Sequence, residues 1–573
     1  MKRSRFVRAI ALCLAVLMLT GAFVGTVAAD ESTAGSTTAA QIRELLNTSS
    51  YKVYNEKQPT TKGEGQIVID ATVPYSYEVS GVVYYYDAVK KTFYTVDGAG
   101  LRTDVASDAV AAYVGDHGGQ MSLYSPADGK LSWQVTIPKS GRYAIEIEYY
   151  PLGKNVSSIE RVFYINGKVP FSQARYLTMS KSWAYDYEYA DTDASKEDPF
   201  FKADLGGNEL KPEAAPSPEW MKYQFSDSDG FYQGAFEFYF NNEDAENVTH
   251  TISLEAAREA MAIKSIRLYP YVEAPKYSDV LASYIAAGYK TAGADAHIKL
   301  EAEKPYRVSD TSVYASNDRT SAVNSPTDPN KQLLNVLGAN SYDTIGQWAS
   351  YQFTPTKTGL YTISVRCKQD ELAGMYTSRT VRLAGGKYGD TLAVPFREAY
   401  DARFNYDKAW QIATLSNGDE VFQFYFEAGV TYTVSFEVSL GTLSDIIEQV
   451  ETSLGVINDC YLEILKLTGP EPDQYRDYKF ERVMPQTLRN LLIEANNLED
   501  VSEELTRLSG SRGSHVATLD QVFFLLREMG RDNGTKIAEN LGNLKSYIGT
   551  LGTWLNTSKQ QSLMMDYIVV SGT

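Results

Sequence analysis

The sequence has few of the side chains on which most enzyme chemistry depends. It contains three cysteines and four histidines in 573 residues. The histidines are not at metal-ligand spacing from one another or from a cysteine. A phosphate-binding loop ending in Gly-Lys-Ser/Thr and a Gly-x-Ser-x-Gly elbow are both missing. We therefore expect no catalytic activity. Glycoside hydrolysis by paired carboxylates is left as an alternative, because 72 acidic residues offer many pairs. A solvated acidic surface is the simpler interpretation.

Positive charge is scarce as well, with 54 Lys and Arg residues and a net charge of -18. Four of these charges precede an apolar stretch over residues 9–24 and the small-residue site Val27-Ala28-Ala29. This pattern predicts a secretory signal cleaved before Asp30, with an uncleaved membrane anchor as the alternative. Cleavage would leave a net charge of -22 and no membrane span. We expect a secreted or cell-surface protein, and an acidic surface disfavours nucleic acid as a partner.

Cys367 and Cys460 are the two cysteines that remain after cleavage. Neither has a second cysteine nearby that would indicate a metal cluster or a redox pair. They either form a disulfide or stay as buried thiols, and buried thiols are the simpler expectation.

Short alternating strands separated by Gly, Asp, Asn and Pro begin near Ile67, which is typical of β-sandwiches. The segment from Trp133 to Tyr143 recurs from Tyr351 to Tyr361, with the same eight-residue step from aromatic residue to glycine. Further matches follow in the same order, among them Trp183 paired with Trp410 and two Phe-x-Phe-Tyr-Phe segments, and they end in Thr251-Ile-Ser-Leu-Glu paired with Thr433-Val-Ser-Phe-Glu. An ordered series of matches indicates a duplicated domain.

The last strand of the second copy is missing after residue 441, and the chain end around Asp566 supplies it. Apolar residues at helical spacing fill the sequence between, with breaks at Gly469-Pro470 and Gly510. We predict a mainly β protein with an α insertion, in which a helical bundle interrupts the second sandwich before its last strand. The predicted ranges are 1–29 signal peptide, 30–64 linker, 65–275 first sandwich, 276–295 linker, 296–441 with 561–573 second sandwich, and 442–560 helical bundle.

Several motifs carry a resemblance to a known family. They include Ile165-Asn166-Gly167, Asp204-Leu-Gly-Gly-Asn208, Glu219-Trp220 and Asp473-Gln-Tyr-Arg-Asp477. With these motifs the chain resembles the N-terminal half of large bacterial extracellular solute-binding proteins, in which galactose-binding-like jelly-roll sandwiches precede a transport lobe. That lobe has no counterpart in this sequence. The resemblance implies two galactose-binding-like domains and carbohydrate as ligand.

The second domain also resembles calcium-containing carbohydrate-binding modules, because Glu301 and Glu303 lie on its opening strand and Asp566 on its closing strand. This resemblance implies a structural calcium, which prefers hard oxygen ligands. In the first domain Lys264 stands at the position of Asp566, and an ammonium group cannot bind calcium. We therefore expect one calcium site, in the second domain.

Sugars bind to flat aromatic surfaces flanked by planar hydrogen-bonding side chains. Both copies have such side chains in corresponding stretches, although core packing is the alternative for each aromatic residue. The predicted ligand-binding residues are Trp183, Tyr185, Asp204, Asn208, Trp220, Arg379, Tyr406 and Trp410. Trp133 we assign to the core, because it begins an alternating strand.

Three functions remain open. The first is a secreted, non-catalytic protein that binds a glycan or oligosaccharide. The second is an accessory part or truncated form of an ABC-type solute-binding protein, with transporter components as partners. The third is a cell-surface scaffold for protein interactions.

Overall fold

The strands predicted from residue 67 onward form the first sandwich of the computed structural model, which describes residues 48–187, 200–418 and 420–572. The predicted signal peptide and most of the first predicted linker lie outside these residues. The first part of the chain contains the helix α1 (Tyr51–Lys57) and the strands β1 (Ile67–Asp70), β2 (Ser76–Val79), β3 (Val82–Asp87), β4 (Thr92–Val96), β5 (Arg102–Asp104), β6 (Tyr113–His117), β7 (Gln120–Ser125), β8 (Lys130–Ile137), β9 (Gly141–Pro151), β10 (Ile159–Ile165), β11 (Leu177–Met179), β12 (Trp183–Tyr185), β13 (Ala214–Pro216), β14 (Met221–Gln224), β15 (Glu237–Phe240), β16 (Val248–Arg258) and β17 (Met261–Tyr269).

Two antiparallel sheets make up this sandwich. One has the order β14-β9-β17-β7-β6, with β1 paired to β17 and β15 paired to β9. The other has the order β11-β10-β16-β8-β2-β3-β4-β5. Alternate residues of β8 and β9 point between the sheets, as the two-residue period of a strand requires. Trp133 is fully buried there, as expected from its place in an alternating strand.

The second sandwich also consists of two antiparallel sheets, but its edge strands differ from those of the first. Its sheets have the orders β13-β12-β19-β22-β28-β24-β25 and β20-β21-β29-β23-β26, with β18 paired to β29 and β27 paired to β23. The elements are α2 (Tyr277–Ala286), β18 (Gly293–Glu301), β19 (Arg307–Val308), β20 (Ala315–Ser316), β21 (Val336–Gly338), β22 (Trp348–Phe353), β23 (Gly359–Gln369), β24 (Tyr376–Ala384), β25 (Ala402–Asn405), β26 (Asp407–Thr414), β27 (Phe424–Phe426), β28 (Tyr432–Ser439) and, at the chain end, β29 (Met564–Gly572).

The helical bundle lies between β28 and β29, so the prediction that the last strand closes the second sandwich is confirmed. Gly469 and Gly510, both at positive φ, end two of the long helices, and Pro485 begins the helix that Gly510 ends. No helix within the described ranges is long and apolar enough to cross a membrane. The helices are α3 (Leu443–Thr468), α4 (Phe480–Val483), α5 (Pro485–Ser509), α6 (Ser514–Gly530) and α7 (Ile537–Ser558).

The bundle shares its core with the sandwiches. Leu372, Met375 and Tyr376 of the second sandwich belong to the same buried apolar cluster as the helix stripes, and Phe231 of the first sandwich packs against it. Residues Ser49–Thr573 accordingly form one compact unit. Cys367 and Cys460 are buried and unpaired, the first in the sandwich core and the second in the bundle core. Burial raises the pKa of each thiol to about 12, so neither is reactive.

A helix precedes each sandwich, in a segment that the sequence predicts to be a linker. Tyr51 of α1 and Tyr277 of α2 are buried in the two sandwich cores. The hydroxyl of Tyr51 accepts the amide of Glu237 at 3.0 Å, and that of Tyr277 accepts the amide of Gln423 at 2.8 Å. These two amides occupy the same position in the Phe-x-Phe-Tyr-Phe segments. The duplication therefore includes the helix before each sandwich.

The first copy also supplies a hairpin, here called the exchanged hairpin, to the second sandwich. The β12–β13 hairpin comes from the sequence of the first copy, but Trp183 of β12 pairs with Val308 of β19 at the edge of the second sandwich. The hydroxyl of Tyr185 donates to the carbonyl of Val313 at 3.0 Å. Hence part of the range predicted for the first sandwich completes the second.

This exchange leads to a prediction about stability. Trp183→Ala removes a side chain that is 3% exposed in the second sandwich core, and loss of a buried tryptophan costs roughly 3–5 kcal/mol. We expect the melting temperature of the second sandwich and bundle to fall, as measured by calorimetry. Tyr176→Ala, at a side chain that is 61% exposed, is the control and should change little. Equal melting curves for the two variants would contradict the shared core.

Candidate functional site

The strand register makes Trp220 and Trp410 equivalent in the two copies. Met221 pairs with Tyr149, which lies eight residues after Gly141, and Gln411 pairs with Cys367, which lies eight residues after Gly359. The tryptophan before each of these residues therefore occupies the same place on the outer face of its sheet. The sequence pairs Trp183 with Trp410, and the register corrects this match, because Trp183 belongs to the exchanged hairpin.

Trp410 is half-buried on this outer face of the second sandwich. Its indole N–H donates to the hydroxyl of Thr320 at 3.2 Å, which fixes one edge of the ring. The guanidinium of Arg366 lies 4.9 Å from the ring centroid and the ammonium of Lys368 lies 6.0 Å from it. Cations at these distances are attracted to the ring face and hold the indole in place.

Trp220 occupies the matching place in the first sandwich and is also half-buried. Its indole N–H donates to the carbonyl of Gly118 at 3.3 Å, and its ring lies 5.5 Å from that of Tyr150. The ammonium of Lys264 lies 6.0 Å from the indole centroid. A Cβ at Gly118 would come within 2.4 Å of the Tyr150 ring, so only glycine allows this turn to approach the two aromatic rings.

More aromatic rings extend from this turn along β6 and β7. Tyr113 stacks on Tyr124 with ring centroids 4.9 Å apart, and His117 lies 5.7 Å from Tyr113. Tyr113 is 46% exposed. These residues are not among those predicted from the sequence. Tyr113 and His117 lie four residues apart, an even spacing that places both side chains on one face of a strand, and this is the signal that could have revealed them.

An ion pair lies next to each tryptophan, and its acidic and basic residues stand at opposite positions in the two copies. Lys264, in a bulge between Ile263 and Ser265, contacts Glu148 with Nζ to Oε1 at 2.9 Å. Asp566, in the matching bulge before Tyr567, accepts a hydrogen bond from Arg366. The register thus agrees with the sequence alignment of Lys264 with Asp566. The duplication preserved the pair and exchanged the positions of its charges.

Glu301 is the last residue of the opening strand of the second sandwich, and Glu303 follows two residues later, near Asp566. Glu303 is fully buried, and neither of its carboxylate oxygens has a hydrogen-bond partner. Oε2 of Glu301 is likewise buried without a partner, while Oε1 accepts Lys299 at 2.8 Å. Burial, followed by the negative charge of Glu301, raises the pKa of Glu303 well above its usual value of 4.5. A buried carboxylate in this state needs either a proton or a cation.

These oxygens suit calcium only in part. Glu301 and Glu303 provide three free carboxylate oxygens of the kind that calcium prefers. Asp566, by contrast, is occupied, because its Oδ1 accepts the amide of Ser325 at 3.2 Å and its Oδ2 accepts Arg366. Throughout the described part of the chain, no three His, Cys, Asp or Glu side chains are already gathered as a metal site. The two glutamates are therefore the residues that could hold an ion.

Tyr406 lines a different site, a cleft of about 550 Å³ between the second sandwich and the bundle. Lys408 lies on the sandwich side and Arg512 on the bundle side, and Gly374 and Gly513 form the floor. Tyr406 thus lies near Trp410 in sequence, but it faces the junction with the bundle.

Three of the predicted ligand-binding residues are buried. Trp183 and Tyr185 are 3% and 6% exposed in the core of the second sandwich, and Arg379 is fully buried. The guanidinium of Arg379 donates to the carbonyls of Ser378 and Tyr342, and burial lowers its pKa. Arg161 is buried in the same way at the equivalent position. The expectation that these side chains contact a ligand is therefore wrong, because all three are packed inside the fold where a ligand cannot reach them.

Asp204 and Asn208 lie in a turn that joins the two sandwiches. The Asp204 carboxylate accepts the amides of Gly206 and Asn208, and the side-chain oxygen of Asn208 accepts the amide of Gln332 at 2.9 Å. These bonds satisfy most of the polar atoms that a sugar would need. The structure therefore does not bring the eight predicted residues together in one site, and it leaves Trp220, Tyr406 and Trp410 on accessible surfaces.

The fold and these surfaces define a class, a pair of jelly-roll-type sandwiches with an inserted helical bundle. Among solved structures, the chain is similar to a family 35 carbohydrate-binding module from Clostridium thermocellum, with 9% identity, TM-score 0.16, and coverage of 36% of this chain and 100% of that one. A CBM6 of a Zobellia galactanivorans laminarinase matches with 10% identity, TM-score 0.13, and coverage of 36% and 99%. The Podospora anserina GH26-CBM35 β-(1,4)-mannanase matches with 11% identity and TM-score 0.16 over 40% of this chain, which spans 36% of the mannanase chain.

The strand pairing within the four sheets defines the sandwich fold. The sequence comparison is more specific for the insertion. Residues 445–557 match the model of the bacterial solute-binding protein 4-helix bundle domain. No curated protein matches the chain. The bundle of helices α3 to α7 thus has a recognised relative in solute-binding proteins, which agrees in part with the resemblance drawn from the sequence.

The unpartnered Glu303 leads to a prediction about pH. Because its folded-state pKa is raised above 4.5, its contribution to stability is present at low pH and is lost as pH rises through the raised value. In a chelator, Glu303→Gln should therefore melt at a higher temperature than the wild type at pH 8, with the difference shrinking towards pH 5. Asp70→Asn, at the first-copy position of Glu301, is the control. A pH-independent difference would mean that Glu303 is not a buried, unpaired carboxyl group.

Proposed function

We propose that this protein is a secreted, non-catalytic glycan-binding protein whose two sandwiches each present one tryptophan to sugar. The observation that carries the proposal is the equivalence of Trp220 and Trp410, each half-buried on the outer face of its sheet with the indole N–H already bonded. An indole held in this way offers its apolar face to the C–H face of a sugar. The basic, apolar and small-residue segments of residues 1–29 support secretion.

Two surfaces on one rigid unit favour a polymer over a single sugar. The sandwiches share the exchanged hairpin and a common junction with the bundle, so the distance between the two tryptophans is fixed. Binding at one tryptophan then raises the effective concentration of the same chain at the other. We expect a polysaccharide to bind more tightly than a short oligosaccharide of the same sugar.

The test is glycan-array screening of residues 30–573, followed by calorimetric titration of the best neutral ligand. Trp220→Ala and Trp410→Ala should each weaken binding by about tenfold or more, because a central aromatic contact is usually a dominant one. Tyr475→Ala, at a side chain that is 98% exposed on the bundle connection, is the matched control and should bind as the wild type does. No glycan binding by the folded protein would falsify the proposal.

We also propose a structural calcium at Glu301 and Glu303 in the second sandwich, with Asp566 nearby as a further negative charge. The three unpartnered carboxylate oxygens support it. Calcium should raise the melting temperature of the wild type, and the effect should be lost in Glu303→Gln but kept in Asp70→Asn. A wild-type melting temperature that calcium does not change, measured after prior removal of metal, would exclude the site.

The bundle match favours a second candidate function, an accessory part of an ABC-type solute-uptake system. In this case the bundle would position the sandwiches against other transport components. Co-purification with the subunits of an ABC-type permease would support this function. Glycan binding without any such association would support the first proposed function and not the second.

A further inference from the structure

We propose that the cleft between the second sandwich and the bundle binds a saccharide that carries a carboxylate, such as a uronic acid residue of an acidic glycan. This proposal rests on the proposed glycan-binding function and names a ligand class for a site separate from the two tryptophans. The cleft has a volume of about 550 Å³, which lies within the range of small-ligand sites.

The basic residues of the cleft come from opposite walls. Lys408 lies on the sandwich wall, is exposed, and has no ion-pair partner within the described ranges. Arg512 lies on the bundle wall and pairs with Asp520, a contact that uses one of the five N–H donors of its guanidinium. The single acidic residue of the lining, Asp407, accepts the amide of Ala409 at 2.8 Å through Oδ1. The lining therefore carries two positive charges and one negative charge, and Asp520, outside the lining, pairs with one of the positive charges.

The protein as a whole is acidic, with a net charge of -18, whereas two cations face this cleft. A negatively charged ligand is repelled by most of the surface and can bind only where cations are gathered. Arginine suits a carboxylate because its planar fork matches the two oxygens, and lysine adds a mobile positive charge. Tyr406, in the same lining, provides the flat aromatic surface that the ring of a sugar requires.

The floor of the cleft holds its walls at a fixed distance. A Cβ on Gly513 would come within 2.3 Å of the backbone at Ala373 and Gly374, so two glycine backbones pack directly on each other. The amide of His515 donates to the carbonyl of Ala373 at 3.3 Å. The loop before α6 is thereby fastened to the loop before β24. Lys408 and Arg512 therefore face the same cleft, and no movement of the bundle relative to the second sandwich is needed.

The test is calorimetric titration of the mature protein with hexagalacturonate, and with cellohexaose as a neutral probe. Lys408→Ala and Arg512→Ala should each weaken hexagalacturonate binding about tenfold, and added salt should weaken the wild-type interaction. Lys545→Ala, an exposed lysine on α7, is the control for net charge and should have no effect. Arg512→Lys keeps the positive charge, so it should retain part of the affinity. It also serves as a control for the loss of the ion pair between Arg512 and Asp520.

The outcomes separate this proposal from the proposed function. Neutral glycans that bind in a Trp220- or Trp410-dependent way, together with no hexagalacturonate binding, would overturn the cleft proposal and leave the function intact. Hexagalacturonate binding that depends on Trp410 but not on Lys408 or Arg512 would also overturn it. Binding lost in both cleft variants, with their melting temperatures unchanged, would support it.

Discussion

The second half of the molecule depends on where its last strand is placed. β29 lies inside its sheet, between β21 and β23, and also pairs with the opening strand β18. A central strand provides hydrogen bonds to both neighbours, so the sheet cannot close until the chain end has been made. The inserted bundle must therefore begin and end close together. The four long helices satisfy this requirement, because up-and-down helices return the chain to the end of the bundle at which it entered.

The same constraint explains why the duplication is preserved at certain positions and not at others. Trp133 donates to the carbonyl of Ala71 at 3.2 Å, and Tyr351 donates to the carbonyl of Ala302 at 2.8 Å. Both bonds fix the opening strand against the core. The ion pair beside each tryptophan differs between the copies, because Glu148 and Lys264 of the first correspond to the buried Arg366 and Asp566 of the second. Core contacts fixed the register, while the acidic and basic members of the ion pair changed places between the copies.

The duplication, the two sandwiches and the inserted bundle could be predicted from the sequence, because each depends on local periodicity or on an ordered repeat. The exchanged hairpin could not. Trp183 and Tyr185 look like exposed loop aromatics, since the strand they pair with lies more than a hundred residues away at Val308. The buried role of Arg379 was hidden for the same reason, because its carbonyl partner on Tyr342 is distant in sequence. Non-local partners decide burial, and a single sequence does not reveal them.

The cleft shows how an insertion can create a binding surface that neither domain has alone. A jelly-roll sandwich presents loops at its ends, and the loop with Tyr406 and Lys408 would face open solvent without the bundle. The loop before α6 adds a second wall with Arg512, and the glycine contact sets the width between them. A cleft with two walls can contact a ligand from both sides, which a single wall cannot do. On this view the bundle is more than a spacer between β28 and β29, because it supplies half of a recognition site.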